Sequence, residues 1–259
     1  MGVRKDLFFT KKICDNYYFY DYSRIYFNTN EKLDELYSEI DFNGKDVFCV
    51  LASSDQYFKI KQLGVRSIDT FDKNKLTYYY YFYRMWSIKY LNNLYPTELI
   101  KNDYQSIGKL LSKVEVNSKE EKAALTFWRS LLDKKVLFSS LFYIDKNTML
   151  NYDTSSINTN LDARVNFINV DLFRKNTFKL KYDIIVLSNI LEWTDGDVRC
   201  INRLKNNINK LLTDNGIVLC SRVSKSYYYV HPDEKTIFSD IFEYSDLNNN
   251  LGFVYKKKL

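Results

Sequence analysis

Short, nearly continuous apolar runs punctuate this chain at Val47–Leu51, Val165–Val170, Tyr182–Leu187 and Ile217–Cys220. Each predicts a strand, and the continuous Ile184-Ile185-Val186-Leu187 run predicts one buried on both faces of a parallel sheet. A further strand is predicted over Ser67–Phe71. Between these runs the period changes to three and four. Glu31 to Ile40 sets Leu33, Leu36, Tyr37 and Ile40 on one helical face, and Tyr57, Ile60, Lys61 and Leu63 suit a short helix stopped by Gly64. The longest helix is predicted over Lys75–Leu94, ended by Pro96. Its Tyr78-Tyr79-Tyr80-Tyr81-Phe82-Tyr83 run is aromatic all round, which predicts burial on several sides in preference to a base-stacking platform. Ser118-Lys119-Glu120-Glu121 has capping-box spacing and predicts a helix to about Leu132. Asp197 to Leu212 is amphipathic through Val198, Ile201, Leu204, Ile208 and Leu211.

Phe42–Lys45 and Thr213–Gly216 read as turns, and Asn151–Asn160 as an exposed loop. Phe242–Tyr244 and Phe253–Tyr255, flanking a polar Gly-containing segment, predict an antiparallel hairpin that closes the sheet. The expected architecture is therefore α/β and Rossmann-like, with a mostly parallel sheet and a C-terminal antiparallel hairpin. The expected organisation is one domain over residues 1–259. Residues 97–162 interrupt the alternation as a helical insertion, read as a lid or a wall of the substrate pocket.

Composition narrows the classes. Of 259 residues 46% are hydrophobic and 27% charged, with only 2 prolines, so a disordered chain is excluded. A formal net charge of +6 mildly favours an anionic partner, but the only clear basic run, Lys256-Lys257-Lys258, reads first as a solvated tail. No two of Cys14, Cys49, Cys200 and Cys220 have CxxC spacing, and His231 is the only histidine, so no metal site is expected. There is neither a secretory-type leader nor a run approaching the roughly 18 apolar residues of a membrane span, so a soluble, cytoplasmic protein is expected.

Candidate chemistry gathers at the carboxyl ends of the predicted strands, where open α/β sheets bind ligands. The first strand ends in the polar turn Ala52-Ser53-Ser54-Asp55, and the second in Asp72, about twenty residues on. A carboxylate there accepts hydrogen bonds from both hydroxyls of a ribose, or else caps the next helix. Asp55 either caps its helix or holds a ligand ammonium. With no basic residue nearby in sequence, the turn suits a zwitterionic nucleoside better than a pyrophosphate. Asp171 suits an adenine amino group or its own loop, and Ser188, Asn189 and Glu192 follow the fourth strand.

These pieces resemble a family. The layout is similar to the class I S-adenosylmethionine-dependent methyltransferase fold. Within it, Tyr22-Ser23-Arg24-Ile25-Tyr26, Ala52-Ser53-Ser54-Asp55-Gln56, Phe71-Asp72-Lys73-Asn74 and Leu187-Ser188-Asn189-Ile190-Leu191-Glu192-Trp193 resemble motifs of the bacterial betaine-lipid synthases. Those enzymes transfer a 3-amino-3-carboxypropyl group from S-adenosylmethionine to diacylglycerol. The resemblance implies S-adenosyl-L-methionine as cofactor. It implies that Ala52, Ser53, Ser54 and Asp55 hold the methionine part, with Ser188 also at the cofactor, that Asp72 holds the ribose, and that Asp171 lies near the adenine. Asn189 and Glu192 would border the transferred group, Glu192 as a base toward a hydroxyl acceptor. The acceptor is expected to be a small molecule or a lipid. Ser54 stands where a glycine is common, and this leaves open a non-catalytic binding or scaffold protein on the same fold. A nucleic-acid methyltransferase is disfavoured, because Ser188-Asn189-Ile190-Leu191 lacks the Asn-Pro-Pro-aromatic signature of amino-methylating DNA enzymes.

Overall fold

The structure is a computed structural model and describes residues 3–15, 22–29, 31–144, 165–194, 196–222 and 233–258. The predicted Asn151–Asn160 loop and His231 lie outside the described residues. In chain order the first elements are α1 (Val3–Cys14), β1 (Ile25–Tyr26), α2 (Leu33–Tyr37), β2 (Asp46–Val50), α3 (Asp55–Lys61) and β3 (Ser67–Asp72). Next come α4 (Leu76–Leu91), α5 (Thr97–Ile100), α6 (Tyr104–Lys113), α7 (Lys119–Asp133) and β4 (Phe142–Tyr143). Last are β5 (Asn166–Asn169), β6 (Tyr182–Ser188), α8 (Val198–Leu211), β7 (Leu212–Ser221), β8 (Phe242–Asp246) and β9 (Gly252–Lys257). The chain divides into two compact units, one of residues 1–29, 51–55 and 72–164, the other of residues 30–50, 56–71 and 165–259.

The second unit is built on a seven-stranded sheet ordered β5-β3-β2-β6-β7-β9-β8. Counted along the chain its first five positions read 3-2-1-4-5, the doubly wound order. β2 pairs in parallel with β3 and β6, and β6 with β7, while β9 runs antiparallel to both β7 and β8. The mostly parallel α/β sheet with a C-terminal antiparallel hairpin is thus observed. Its centre is apolar on both faces, as the continuous runs required: Val47, Phe48, Cys49 and Ile184 to Leu187 are all buried. Phe48 stacks on Phe71 at 4.5 Å and on Tyr182 at 4.8 Å between ring centroids. The Leu204, Ile208 and Leu211 face of α8 belongs to the same core.

In the sheet unit two boundaries differ from the pattern. The apolar face of the predicted Glu31–Ile40 helix supports only Leu33–Tyr37 as helix, because Ile40 is just half-buried. Thr213–Gly216 is not a free turn before its strand: β7 begins at Leu212, opposite Tyr182, and Ile217 lies opposite Ile184. The extra residues bulge out of the ladder, so the turn-forming composition is accommodated inside the strand.

The other unit is helical. α4 carries the aromatic run, and Tyr79, Tyr80, Tyr81, Phe82 and Tyr83 are buried in it. Tyr79 stacks on Phe127 of α7 at 4.1 Å, Tyr83 meets Trp128 at 4.9 Å, and the Trp128 indole donates to the Tyr79 carbonyl at 2.8 Å. The helix ends at Leu91, not at Pro96, because Asn92 adopts a left-handed conformation (φ 50°) and returns its N–H to Ile88 O. At α7 the Ser118 hydroxyl accepts from Glu121 N at 3.0 Å, and Glu121 answers by accepting from Asn117 N at 2.6 Å, one residue outside the usual box. A fully buried acid, Asp6 of α1, accepts from the hydroxyls of Tyr22 and Tyr79 and pairs with Lys75 at 2.7 Å, which ties α1 to α4. No helix among the described residues is long and apolar enough to cross a membrane.

Candidate functional site

β2 and β6 are parallel neighbours on either side of the point where the strand order reverses. The chain leaving each at its carboxyl end is where a doubly wound sheet receives a ligand. The candidate residues fall in two groups. Ala52, Ser53, Ser54, Asp55 and Asp72 belong to the helical unit; Asp171, Ser188, Asn189 and Glu192 belong to the sheet unit.

In the helical unit the chain leaving β2 turns sharply, with Ala52 at φ 42° and Ser54 at φ 76°. Both occupy left-handed backbone, which usually falls to glycine and costs a side-chain-bearing residue about 1–2 kcal/mol. The Ala52 N–H donates to Asp72 Oδ2 at 3.1 Å, so the turn after β2 and the acid ending β3 are bound to each other. The other Asp72 oxygen accepts from Asn74 N at 2.8 Å. The Thr77 side chain also hydrogen-bonds this carboxylate. Burial raises its pKa to about 6, against the opposing pull of the Asn74 and Ala52 N–H groups. Asn74 in turn donates to the carbonyl of Ser23 at 2.9 Å, joining two of the segments that carry the family resemblance.

Asp55 is placed differently from the sequence expectation. A basic residue does offset its charge: Arg84 of α4 reaches Asp55 Oδ1 at 2.8 Å, with side-chain exposures of 0% and 1%. The same oxygen accepts from the Tyr95 hydroxyl at 3.2 Å, and Oδ2 accepts from Thr29 N at 2.8 Å and the Ser53 hydroxyl at 2.6 Å. Burial works against the guanidinium charge, and the Asp55 carboxylate more than reverses it, so Arg84 is held cationic. The guanidinium also donates to the carbonyls of Ser53 and Leu94. With four protein donors and a buried counter-charge, the Asp55 carboxylate is committed to the fold. The Ser54 hydroxyl is buried without a hydrogen-bond partner.

In the sheet unit, Asp171 follows β5 and caps its own turn by accepting from Phe173 N at 2.8 Å. Its Oδ2 accepts no hydrogen bond and faces the Arg174 guanidinium at 3.9 Å, and burial raises its pKa. Ser188 ends β6 at φ 57°, half-buried, beside Asn189. Glu192 lies on a 3-10 turn, Ile190–Thr194, with its side chain outside the described ones. Sequence reasoning missed the residue that gathers this edge. Glu31, 6% exposed, accepts hydrogen bonds from the hydroxyls of Ser188 and Ser221, the last residues of β6 and β7, and from Gln56 Nε2 at 2.6 Å. Nothing local marks Glu31, whereas Arg84 had a signal: one cation inside an aromatic, all-round-buried helix needs a buried acid.

No family model and no curated protein matches this chain. Among solved structures, a TehB-like SAM-dependent methyltransferase from Corynebacterium glutamicum is similar at 9% identity over 89% of this chain and 90% of that one, with a TM-score of 0.47. The N-methyltransferase NodS from Bradyrhizobium japonicum, in complex with S-adenosyl-L-homocysteine, is similar at 9% identity over 88% and 84%, with a TM-score of 0.42. Likenesses this distant assign no activity. The class rests on the strand order of the chain itself, that of a doubly wound α/β protein.

Proposed function

We propose that the protein is an S-adenosylmethionine-dependent transferase. The carrying observation is the Ala52 N–H to Asp72 hydrogen bond of 3.1 Å, which fastens the turn after the first sheet strand to the acid ending the second, in a sheet of doubly wound order. The donor and acceptor set suits the cofactor. Asp72 is a carboxylate at the end of the second sheet strand, of the type that suits ribose hydroxyls, Asp171 Oδ2 accepts no hydrogen bond and suits the adenine amino group, and Gln56 Oε1 is a buried acceptor without a donor. When bound, S-adenosylmethionine supplies an electrophilic carbon on a sulfonium whose leaving thioether is neutral.

The protein's part is therefore chiefly to hold and orient, and little proton chemistry is demanded of it. Ala52, Ser53 and Ser54 would shape the turn against the methionine part. Asn189 would border the transferred group, and Glu192 would take the proton from a hydroxyl acceptor. The motif resemblance favours the 3-amino-3-carboxypropyl group over methyl, with a small-molecule or lipid acceptor. A non-catalytic binding protein is the second reading, favoured by the commitment of the Asp55 carboxylate to Arg84, Tyr95, Thr29 and Ser53.

Titration calorimetry with S-adenosylhomocysteine tests the first claim: saturable binding is expected, weakened by Asp72→Asn, which removes the charge but keeps an acceptor oxygen for the turn. No heat with the unaltered protein, or undiminished affinity in the variant, refutes it. Mass spectrometry of the spent cofactor then separates the chemistries. Methyl transfer leaves S-adenosylhomocysteine, aminocarboxypropyl transfer leaves 5′-methylthioadenosine, and a scaffold leaves neither.

A further inference from the structure

We infer that the outward face of α1 is a docking surface for an anionic lipid bilayer, with Phe8 as the side chain that enters it. Lipid docking there is independent of the transferase reading. α1 spans Val3–Cys14, and at about 3.6 residues per turn its buried Asp6, Thr10 and Ile13 form one stripe. Phe8 stands at the middle of the opposite face, 59% exposed. Arg4 lies one turn before it and Lys11 and Lys12 one turn after, with Lys5 on the same side. The acid within the helix, Asp6, is fully buried, and Lys75 and the Tyr22 and Tyr79 hydroxyls answer its charge. The next acid in sequence, the exposed Asp15, lies past the end of the helix. Cations therefore flank an exposed phenyl ring on both sides.

Charge and apolar surface together choose the partner. A phenyl ring is stabilised by leaving water for an apolar phase. The cations beside it are stabilised by staying at a wet, negatively charged surface, and long Lys and Arg stems reach it while the ring goes deeper. A bilayer of anionic lipid offers both at once, with phosphates at the surface and acyl chains just beneath. Duplex nucleic acid offers the charge without the apolar layer. The same arrangement recurs beside α1. Leu137, 55% exposed, follows the exposed Lys134 and Lys135. It precedes the 3-10 turn Phe138–Leu141, which packs against α1 and is joined to it by a hydrogen bond between the Cys14 and Ser140 side chains.

Co-sedimentation of the full chain with vesicles of phosphatidylglycerol, and separately of phosphatidylcholine, tests this. Binding to phosphatidylglycerol should be tighter by at least about tenfold and should weaken with salt, since each cation near an anionic surface contributes roughly fivefold. Arg4→Gln with Lys11→Gln should then weaken it by roughly twentyfold. Phe8→Ser should weaken it by about tenfold through the lost apolar burial, whereas Phe8→Leu, which keeps an apolar anchor, should bind nearly as well as the unaltered chain. Phe8, Arg4 and Lys11 are all exposed, so the melting temperatures of these variants should match that of the unaltered protein. Equal binding to the two lipids, binding to neither, or full binding by Phe8→Ser overturns the inference. Duplex DNA is the control for charge alone. Salt-sensitive capture of DNA by a chain that ignores the vesicles would assign the face to nucleic acid and overturn lipid docking.

Discussion

The pair of Arg84 and Asp55 offers the sharpest test of how the turn after β2 is held. Both side chains are out of water, and each lacks an alternative solvent shell. Asp55→Ala removes the guanidinium's buried counter-charge while its bonds to the Ser53 and Leu94 carbonyls stay, and takes the shared acceptor from Thr29 N and the Ser53 and Tyr95 hydroxyls. Removing one partner of a buried ion pair costs about 3–5 kcal/mol, and the loss of that shared acceptor pushes this case to the upper end. Arg84→Leu leaves Asp55 charged with three neutral donors, about 3–4 kcal/mol by the same reasoning. In the double variant neither charge is left uncompensated, so its loss should fall short of the sum by at least about 2 kcal/mol. Urea unfolding of the four proteins, followed by fluorescence of the buried Trp128, measures this coupling. Additivity within about 0.5 kcal/mol would falsify the claim that a desolvated charge pair fixes the turn.

Three further outcomes are expected. Asp72 has its pKa raised to about 6, so the folded state takes up this proton more readily than the unfolded chain; its stabilising effect is complete below the ordinary carboxylate range and fades as pH rises through about 6. Affinity for S-adenosylhomocysteine, which needs the ionised acceptor, should run the other way and drop below about pH 6, and an Asp72→Asn profile that keeps the same drop would remove Asp72 as its cause. Ser54→Gly should stabilise the protein by about 1 kcal/mol in urea unfolding. It relieves a left-handed residue and deletes a buried, unpaired hydroxyl, which together outweigh glycine's added chain entropy of roughly 0.5–1 kcal/mol. Gly252→Ala should destabilise by about 1–3 kcal/mol, since a Cβ there would sit 2.4 Å from the Cys220 carbonyl oxygen and 2.7 Å from Leu36 Cδ1; an unchanged midpoint would show that β9 can shift away.

The sequence by itself determined the strands, the long aromatic helix and the terminal hairpin, because each is written in local periodicity. Val47–Cys49 and Ile184–Leu187 are apolar without a break and so must lie inside a sheet, while Ser118 with Glu121 marks the start of α7. It also brought Ala52 and Asp72 into one argument, because parallel neighbouring strands end at the same edge. Tertiary structure alone decided which charged groups answer one another. Asp55 and Arg84 are 29 positions apart, and Glu31 meets Ser188 and Ser221 at separations of 157 and 190. Local pattern reports which face of an element seeks burial. The partner of a buried charge is chosen by the requirement that desolvated polar groups be matched, and that matching exists only once distant segments have packed.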